Sequence, residues 1–358
     1  MKEKAKAKKG KKKVWIILAV VVLLLAAVAS QGYNIYMGTF TLGRTTVITT
    51  EPGEVMQEGT SFIKYGKFDF PQSRKGTIER VDYTTDVYEN GVTYSKYVEV
   101  YLPCGYDASD TSKKYNVLYF QHGNTMDQEI FTSSSPKRWM DNLFAAEGMP
   151  DDLILVFTTY YMDPARDKSE RLKSGNVEAG DGNWEGLPGN FWREVVEDII
   201  PAVESRYNTY AKDDVSEEGL KATRDHRGFS GYSRGGVCTW YMFHNALEYF
   251  KWWAPMSCHC TAEKGIGTEV TPEDAYLYLK ETIDAHPELD FLIFAASGGP
   301  QDARRLREQM PYFEQQTEIF SYGNDPETNN LYYTLSDFKH SDLFVPYYYY
   351  NTLQILFH

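Results

Sequence analysis

The sequence predicts an α/β domain: a mostly parallel central sheet with helices on both faces. Three observations carry that expectation. Short, continuously apolar runs recur along the chain, as buried parallel strands require. Stretches with helical spacing of apolar residues lie between them. From Gly76 to His358 no internal repeat breaks the pattern, so one large domain fits better than two.

The elements follow in chain order. Residues 1–13 hold eight Lys and one Glu, and Val14 to Ala29 form an uninterrupted apolar run of 16 residues. A basic stretch before an apolar one reads as an export address. Ala27-Val28-Ala29 supplies small residues for signal cleavage, whereas Trp15, Tyr33 and Tyr36 suit the two interfaces of an uncleaved anchor. Residues 1–29 are therefore a signal peptide or a membrane anchor, and either places the body outside the cell. Residues 30–75 read as a linker or N-terminal arm, Thr- and Gly-rich over 38–75 with little apolar periodicity.

Thr77–Val87 and Val92–Leu102 have the β-branched and aromatic content of strands, joined by an Asn90-Gly91 hairpin signal. Val117–Phe120, Leu153–Thr158, Trp252–Met256 and Phe291–Ala296 are the short apolar runs, and Leu331–Leu335 is strand-like. Helices are expected at Arg138–Glu147, Phe191–Arg206, Gly235–Leu247, Pro272–Asp284 and Ala303–Gln316. In the second of these, the apolar spacing of Phe191, Val195, Val196, Ile199, Ile200 and Val203 leaves Glu194, Glu197, Asp198 and Glu204 largely outside.

Composition excludes several functions. The formal net charge is −13, and the N-terminal thirteen residues contribute +7, so the remaining chain carries −20. A body that acidic repels phosphate backbones, so no nucleic-acid partner is expected. No glycine-rich phosphate loop or nucleotide fingerprint is present, and no cofactor is expected. Four Cys in 358 residues are too few for a disulfide scaffold. Cys258-His259-Cys260 lacks the spacing of a structural zinc site, so no metal is expected. The cysteines are read as thiols or as one disulfide, with Cys238 to Cys258 or Cys260 among the open pairings.

The chemistry is carried by Gly231-Tyr232-Ser233-Arg234-Gly235, a G-x-S-x-G between a strand and an apolar helix. A turn that sharp strains the residue at its apex and needs small neighbours two positions either side. It lifts the Ser233 hydroxyl above the sheet and aims a helix N-terminus at any oxyanion formed there. Ser230 also follows a Gly by two, but Tyr232 occupies the place of its second small residue.

A serine nucleophile needs a base and an acid to orient that base, in the order Ser, acid, His on this kind of scaffold. His244 lies within the helix after the turn, His259 follows a strand too early, and His286 ends a helix. His340, in the polar loop Ser336–Asp342, is the expected base. Asp302, beyond Phe291–Ala296, is the expected acid, with Asp325 and Asp337 weaker alternatives. The Arg234 N–H supplies one oxyanion donor by its place after Ser233. Leu118 to Asn124 has the form of the loop that supplies the other, with Asn124 as donor. His122 reads as a brace of that loop or, with Tyr232, as part of the substrate-binding surface. Trp184, in the Gly-rich segment Gly180–Asn190, is the candidate substrate contact or else a structural plug.

Several segments together resemble the exported, esterase D-like branch of the α/β-hydrolases, which holds feruloyl and acetylxylan esterases of carbohydrate esterase family 1. They are Val98–Asp107, Val117–Gly123, Glu197–Pro201 continuing to Tyr207, Gly228–Gly236 and the His340 loop, in the family's order over residues 76–358. Asn124 stands where a Gly often follows His-Gly, and the acid loop Gly298–Asp302 is longer than usual. The resemblance implies an α/β-hydrolase catalytic domain over 76–358, with Ser233, His340 and Asp302 as its triad. It also implies a secreted or surface-anchored serine esterase acting on acylated polysaccharide or a small ester, the acyl group being feruloyl or acetyl. Sugar rings and phenolic acids would stack on a chain with 28 Tyr, 19 Phe and 7 Trp. Acyl transfer on the same scaffold, and glycan binding without catalysis, are the alternatives.

Overall fold

The computed structural model describes residues 20–22, 46–48, 74–88, 91–124, 126–129, 134–145, 149–161, 190–262, 269–298, 302–321, 328–335 and 339–357. Apart from 20–22, the N-terminal address lies outside these residues, as do the expected Trp184, Asp325 and Asp337.

Among the described residues nine strands form one sheet in the order β1-β9-β8-β7-β6-β4-β5-β3-β2. They are β1 (Thr46–Ile48), β2 (Thr77–Thr85), β3 (Tyr94–Leu102), β4 (Asn116–Gln121), β5 (Leu153–Thr158), β6 (Arg227–Tyr232), β7 (Trp252–Met256), β8 (Leu292–Ser297) and β9 (Leu331–Leu335). The six from β5 to β9 in that order are parallel. β3 joins β5, β2 joins β3, and β1 joins β9, all antiparallel. The helices are α1 (Ser134–Phe144), α2 (Phe191–Arg193, then a π-helical Glu194–Ile199, then Ile200–Glu204) and α3 (Glu217–Ala222). They continue with α4 (Arg234–Ala246), α5 (Pro272–Ala285), α6 (Arg304–Glu314) and α7 (Val345–Thr352).

The continuous apolar runs have a direct cause. Successive strand residues point to opposite faces, and both faces are covered. In β4, Val117 and Tyr119 enter the core shared with α2, α4, α5 and α6, while Leu118 and Phe120 enter the core shared with α1 and α7. The sheet therefore has no solvated face along its parallel strands. Its order also reverses at β4, with β5 on one side and β6 on the other. At such a reversal the loops leaving the carboxyl ends of adjacent strands part and open a crevice.

Some elements differ from expectation. Part of the expected linker, Thr46–Ile48, is a strand that pairs with β9 from Thr46↔Leu335 to Ile48↔Tyr333. β2 ends at Thr85 and β3 begins at Tyr94, so their connection is longer than a two-residue turn, with Gly91 in the left-handed region at φ 79°. α1 begins at Ser134 rather than Arg138, because Pro136 is well tolerated in a first helical turn.

The largest difference is on α2. Glu194 and Glu204, expected outside, are 0% and 2% exposed. Each is matched by a buried cation. Lys96 Nζ on β3 lies 2.5 Å from Glu194, whose carboxylate also accepts from the hydroxyls of Tyr83 and Tyr88. Arg227, the first residue of β6, grips both oxygens of Glu204 at 2.6 and 2.8 Å and donates to the Leu220 and Tyr249 carbonyls. Buried charges persist only when paired and fully hydrogen-bonded, and these are. The second pair fixes the base of the strand that carries Ser233.

Candidate active site

Ser233 connects β6 directly to α4. Its φ of 58° and ψ of −117° lie outside the ordinary L-residue regions, the strain expected of the apex of this turn. Backbone contacts enforce the conformation. The Ser233 N–H donates to the Met256 carbonyl at 2.9 Å, and the Ser233 carbonyl accepts from Val237 N–H at 3.1 Å. The flanking glycines are required by crowding. A methyl at Gly231 would lie 2.1 Å from the Gly235 carbonyl oxygen, and one at Gly235 would lie 1.9 Å from the Gln121 carbonyl oxygen. The end of β4 is thus in backbone contact with the start of α4.

Three side chains from separate parts of the chain meet at this turn. Ser233 Oγ lies 2.9 Å from His340 Nε2, and His340 Nδ1 lies 2.5 Å from Asp302 Oδ1. The other Asp302 oxygen accepts from the Gly298 N–H at 2.6 Å and from Ser297 Oγ at 3.1 Å, so the end of β8 holds the carboxylate. The Asp302 side chain is fully buried, whereas that of His340 is 42% exposed. A carboxylate accepts, so Nδ1 carries the ring proton and Nε2 faces the serine hydroxyl as an acceptor. Serine oxygen, unprotonated ring nitrogen and buried carboxylate stand in line. This arrangement can transfer a proton away from Ser233 as its oxygen attacks.

The remaining expected residues fall as follows. Arg234 is the first residue of α4, and Asn124 is exposed in the loop after β4. Gly123, beside Asn124, packs on the turn: a methyl there would lie 3.3 Å from Ser233 Cβ. Tyr232 is 2% exposed, and its ring centroid lies 5.1 Å from that of His340. It is buried beside the imidazole. His122 is 1% exposed, with Nδ1 2.8 Å from the Gly123 carbonyl and Nε2 2.8 Å from Thr159 Oγ1. Both of its ring nitrogens are thus engaged by the protein. Trp184 lies outside the described residues.

Of the competing histidines, His244 is occupied elsewhere. His244 Nδ1 is 2.7 Å from Thr282 Oγ1, and its ring stacks on Tyr278. His259 sits just beyond β7, and its buried Nε2 has no hydrogen-bond partner among the described residues. Burial and the nearby Arg305 push its pKa down to about 4. All four cysteines are free thiols, and burial pushes Cys238 and Cys258 well above the usual thiol range.

Sequence reasoning missed Thr159 and Tyr160, which lie against His122 and Gly123. Their signal was their position: they directly follow β5, the neighbour of β4, at the carboxyl edge of the sheet.

Residues 94–334, about two thirds of the chain, match the family model described as "Putative esterase". Among curated proteins the chain is 29% identical over 296 residues to endo-1,4-beta-xylanase Y of Acetivibrio thermocellus, covering 80% of this chain and 24% of that protein. It thus spans about a quarter of the length of that relative. Among solved structures, a serine-to-alanine mutant of the feruloyl esterase module from Clostridium thermocellum, complexed with sinapinate, is 25% identical with a TM-score of 0.64. That match covers 87% of this chain and 95% of the module. A family 1 ferulic acid esterase from the anaerobic fungus Anaeromyces mucronatus shares the fold, with a TM-score of 0.51 at 16% identity over 82% of this chain and 95% of its own.

Proposed function

Because the chain belongs to the esterase family of α/β-hydrolases, we propose that it is a secreted or surface-anchored serine carboxylesterase that releases feruloyl or acetyl groups from plant polysaccharide. The observation that carries this reading is the continuous hydrogen-bonded line Ser233–His340–Asp302 at the mouth of the sheet's reversal. The likeness to a xylanase and to a feruloyl esterase module that holds sinapinate supports a hydroxycinnamoyl ester on a glycan. The basic stretch 1–13 and the apolar run 14–29 support export, with 76–358 as the catalytic domain.

In the proposed reaction Ser233 Oγ attacks the ester carbonyl while His340 Nε2 takes its proton. The negative charge that forms on the carbonyl oxygen is held by the N–H groups of Arg234 and Asn124, the first reinforced by the N-terminal end of α4. Collapse expels the sugar alkoxide, which receives the proton from His340, and leaves the acyl group on Ser233. Water then enters, gives a proton to His340 and adds its oxygen to the acyl carbon. The second tetrahedral intermediate expels Ser233 Oγ, which takes that proton back from His340, and the acyl group leaves as the free acid. Asp302 remains ionised throughout and stabilises the imidazolium. The 42% exposure of the His340 side chain gives water an approach to the acyl-enzyme.

The test is Ser233→Ala assayed on methyl ferulate and p-nitrophenyl acetate. Turnover should fall by about 10³-fold or more with unchanged circular dichroism. Equal turnover by mutant and wild type would contradict the reading.

A further inference from the structure

The loop after β4 is fastened by more contacts than its length requires. The Gly123 carbonyl accepts from His122 Nδ1 at 2.8 Å, from the Tyr160 hydroxyl at 3.0 Å and from the Met126 N–H at 3.4 Å. His122 Nε2 in turn lies 2.8 Å from Thr159 Oγ1, and the Thr159 carbonyl accepts from Lys96 Nζ at 3.2 Å. His122, Thr159, Tyr160 and Lys96 are each at most 2% exposed. A carbonyl can only accept, so His122 Nδ1 bears the proton. The neutral ring then receives the Thr159 hydroxyl proton at Nε2. Both lone pairs of the Gly123 carbonyl are thereby engaged by buried side-chain donors.

This holds the next N–H in place. The Gly123 carbonyl and the Asn124 N–H are the two ends of one peptide unit, and the described chain contains no cis peptide bond. In a planar trans peptide those two groups point in opposite directions. Holding the carbonyl toward the buried His122 and Tyr160 side turns the N–H toward the other side. There Asn124 is exposed, and Gly123 packs on Ser233. A flipped peptide would present its carbonyl oxygen to the developing oxyanion, replacing a donor with a repelling dipole.

We propose that Tyr160 and His122 are positioning residues that aim the Asn124 N–H at the oxyanion by clamping the Gly123 carbonyl between them. The inference rests on the esterase reading above. Because the clamp acts on a charge that exists only in the transition state, it governs kcat and leaves substrate binding alone.

Tyr160→Phe tests this on the whole protein. It keeps the ring beside His122, 4.6 Å between centroids, and removes only the hydroxyl. We expect kcat on methyl ferulate to fall about ten-fold with KM within about two-fold. The inhibition constant of a trifluoromethyl ketone, whose adduct places an oxyanion at the same point, should rise by the same factor as kcat falls. At His122, His122→Asn retains an N–H near the position of Nδ1 and should keep more activity than His122→Phe. The clamp is overturned if Tyr160→Phe has wild-type kcat, or if its loss appears in KM with ketone affinity unchanged. A wild-type protein that neither turns over esters nor is labelled at Ser233 by a fluorophosphonate overturns the esterase reading and the clamp together. The clamp's separate failure shows only where the wild type is active.

Discussion

Asp302 and His340 meet across the boundary between interior and solvent: their side chains approach to 2.5 Å, one fully buried and the other 42% exposed. The buried partner is held by the Gly298 N–H and Ser297 Oγ, so the carboxylate cannot swing to follow solvent. It sets both the tautomer and the direction of the imidazole.

Asp302→Asn should therefore disable the site without unfolding it. An amide that donates to Nδ1 reverses the ring's tautomer and turns a proton toward Ser233. A fall in kcat of about 10⁴-fold is expected, with KM little changed, in steady-state assays on methyl ferulate. Activity within about ten-fold of wild type would show that another carboxylate orients the ring.

Gly235→Ala should remove activity and stability together, because its methyl would lie 1.9 Å from the Gln121 carbonyl oxygen at the end of β4. Relief requires moving either the turn or the loop that bears Asn124. Gly91→Ala is the control: φ is 79° there, but a methyl meets nothing within 4 Å. It should cost about 1–3 kcal/mol of backbone strain, read by urea denaturation, and leave kcat unchanged.

Lys96→Met should destabilise the fold by about 3–5 kcal/mol in urea, since it strands Glu194 as an unpaired buried charge. Burial and that carboxylate hold the Tyr83 and Tyr88 hydroxyls well above the usual phenol range, so both remain neutral donors and neither supplies a compensating charge. Adding Glu194→Gln to Lys96→Met should recover part of the loss, in a double-mutant cycle.

His259 should make the fold sensitive to mild acid. Its pKa is about 4 in the folded state against 6.5 for the free side chain. Between those values the unfolded chain binds a proton that the folded chain refuses, so stability is complete above pH 6.5 and is lost as pH falls toward 4. The contribution is on the order of 2–3 kcal/mol. The stability difference between wild type and His259→Leu, followed by urea denaturation from pH 7.5 to 4, should change by that amount. A difference independent of pH would contradict it.

The parallel strands were legible because burial on both faces leaves runs such as Leu153–Thr158 continuously apolar. Ser233, Asp302 and His340 could be picked out because the turn glycines identify the first, and the order of strand ends narrows the choice of the others. What stayed hidden depended on partners distant in sequence. Thr46–Ile48 reads as arm until β9 supplies its hydrogen bonds. Glu194 and Glu204 read as solvent-facing because helical periodicity counts apolar residues and is blind to Lys96 and Arg227. Tyr160 looked like one of many tyrosines, and only the meeting of β4 and β5 gives its hydroxyl a carbonyl to hold.

The most direct measurement is covalent: react the protein with a fluorophosphonate, digest it, and locate the adduct by mass spectrometry while following ester hydrolysis. One adduct per chain on the peptide bearing Ser233, with hydrolysis lost in proportion to labelling, is the predicted result. Full hydrolytic activity in a protein that carries no label at Ser233, or carries it on another residue, would contradict the account.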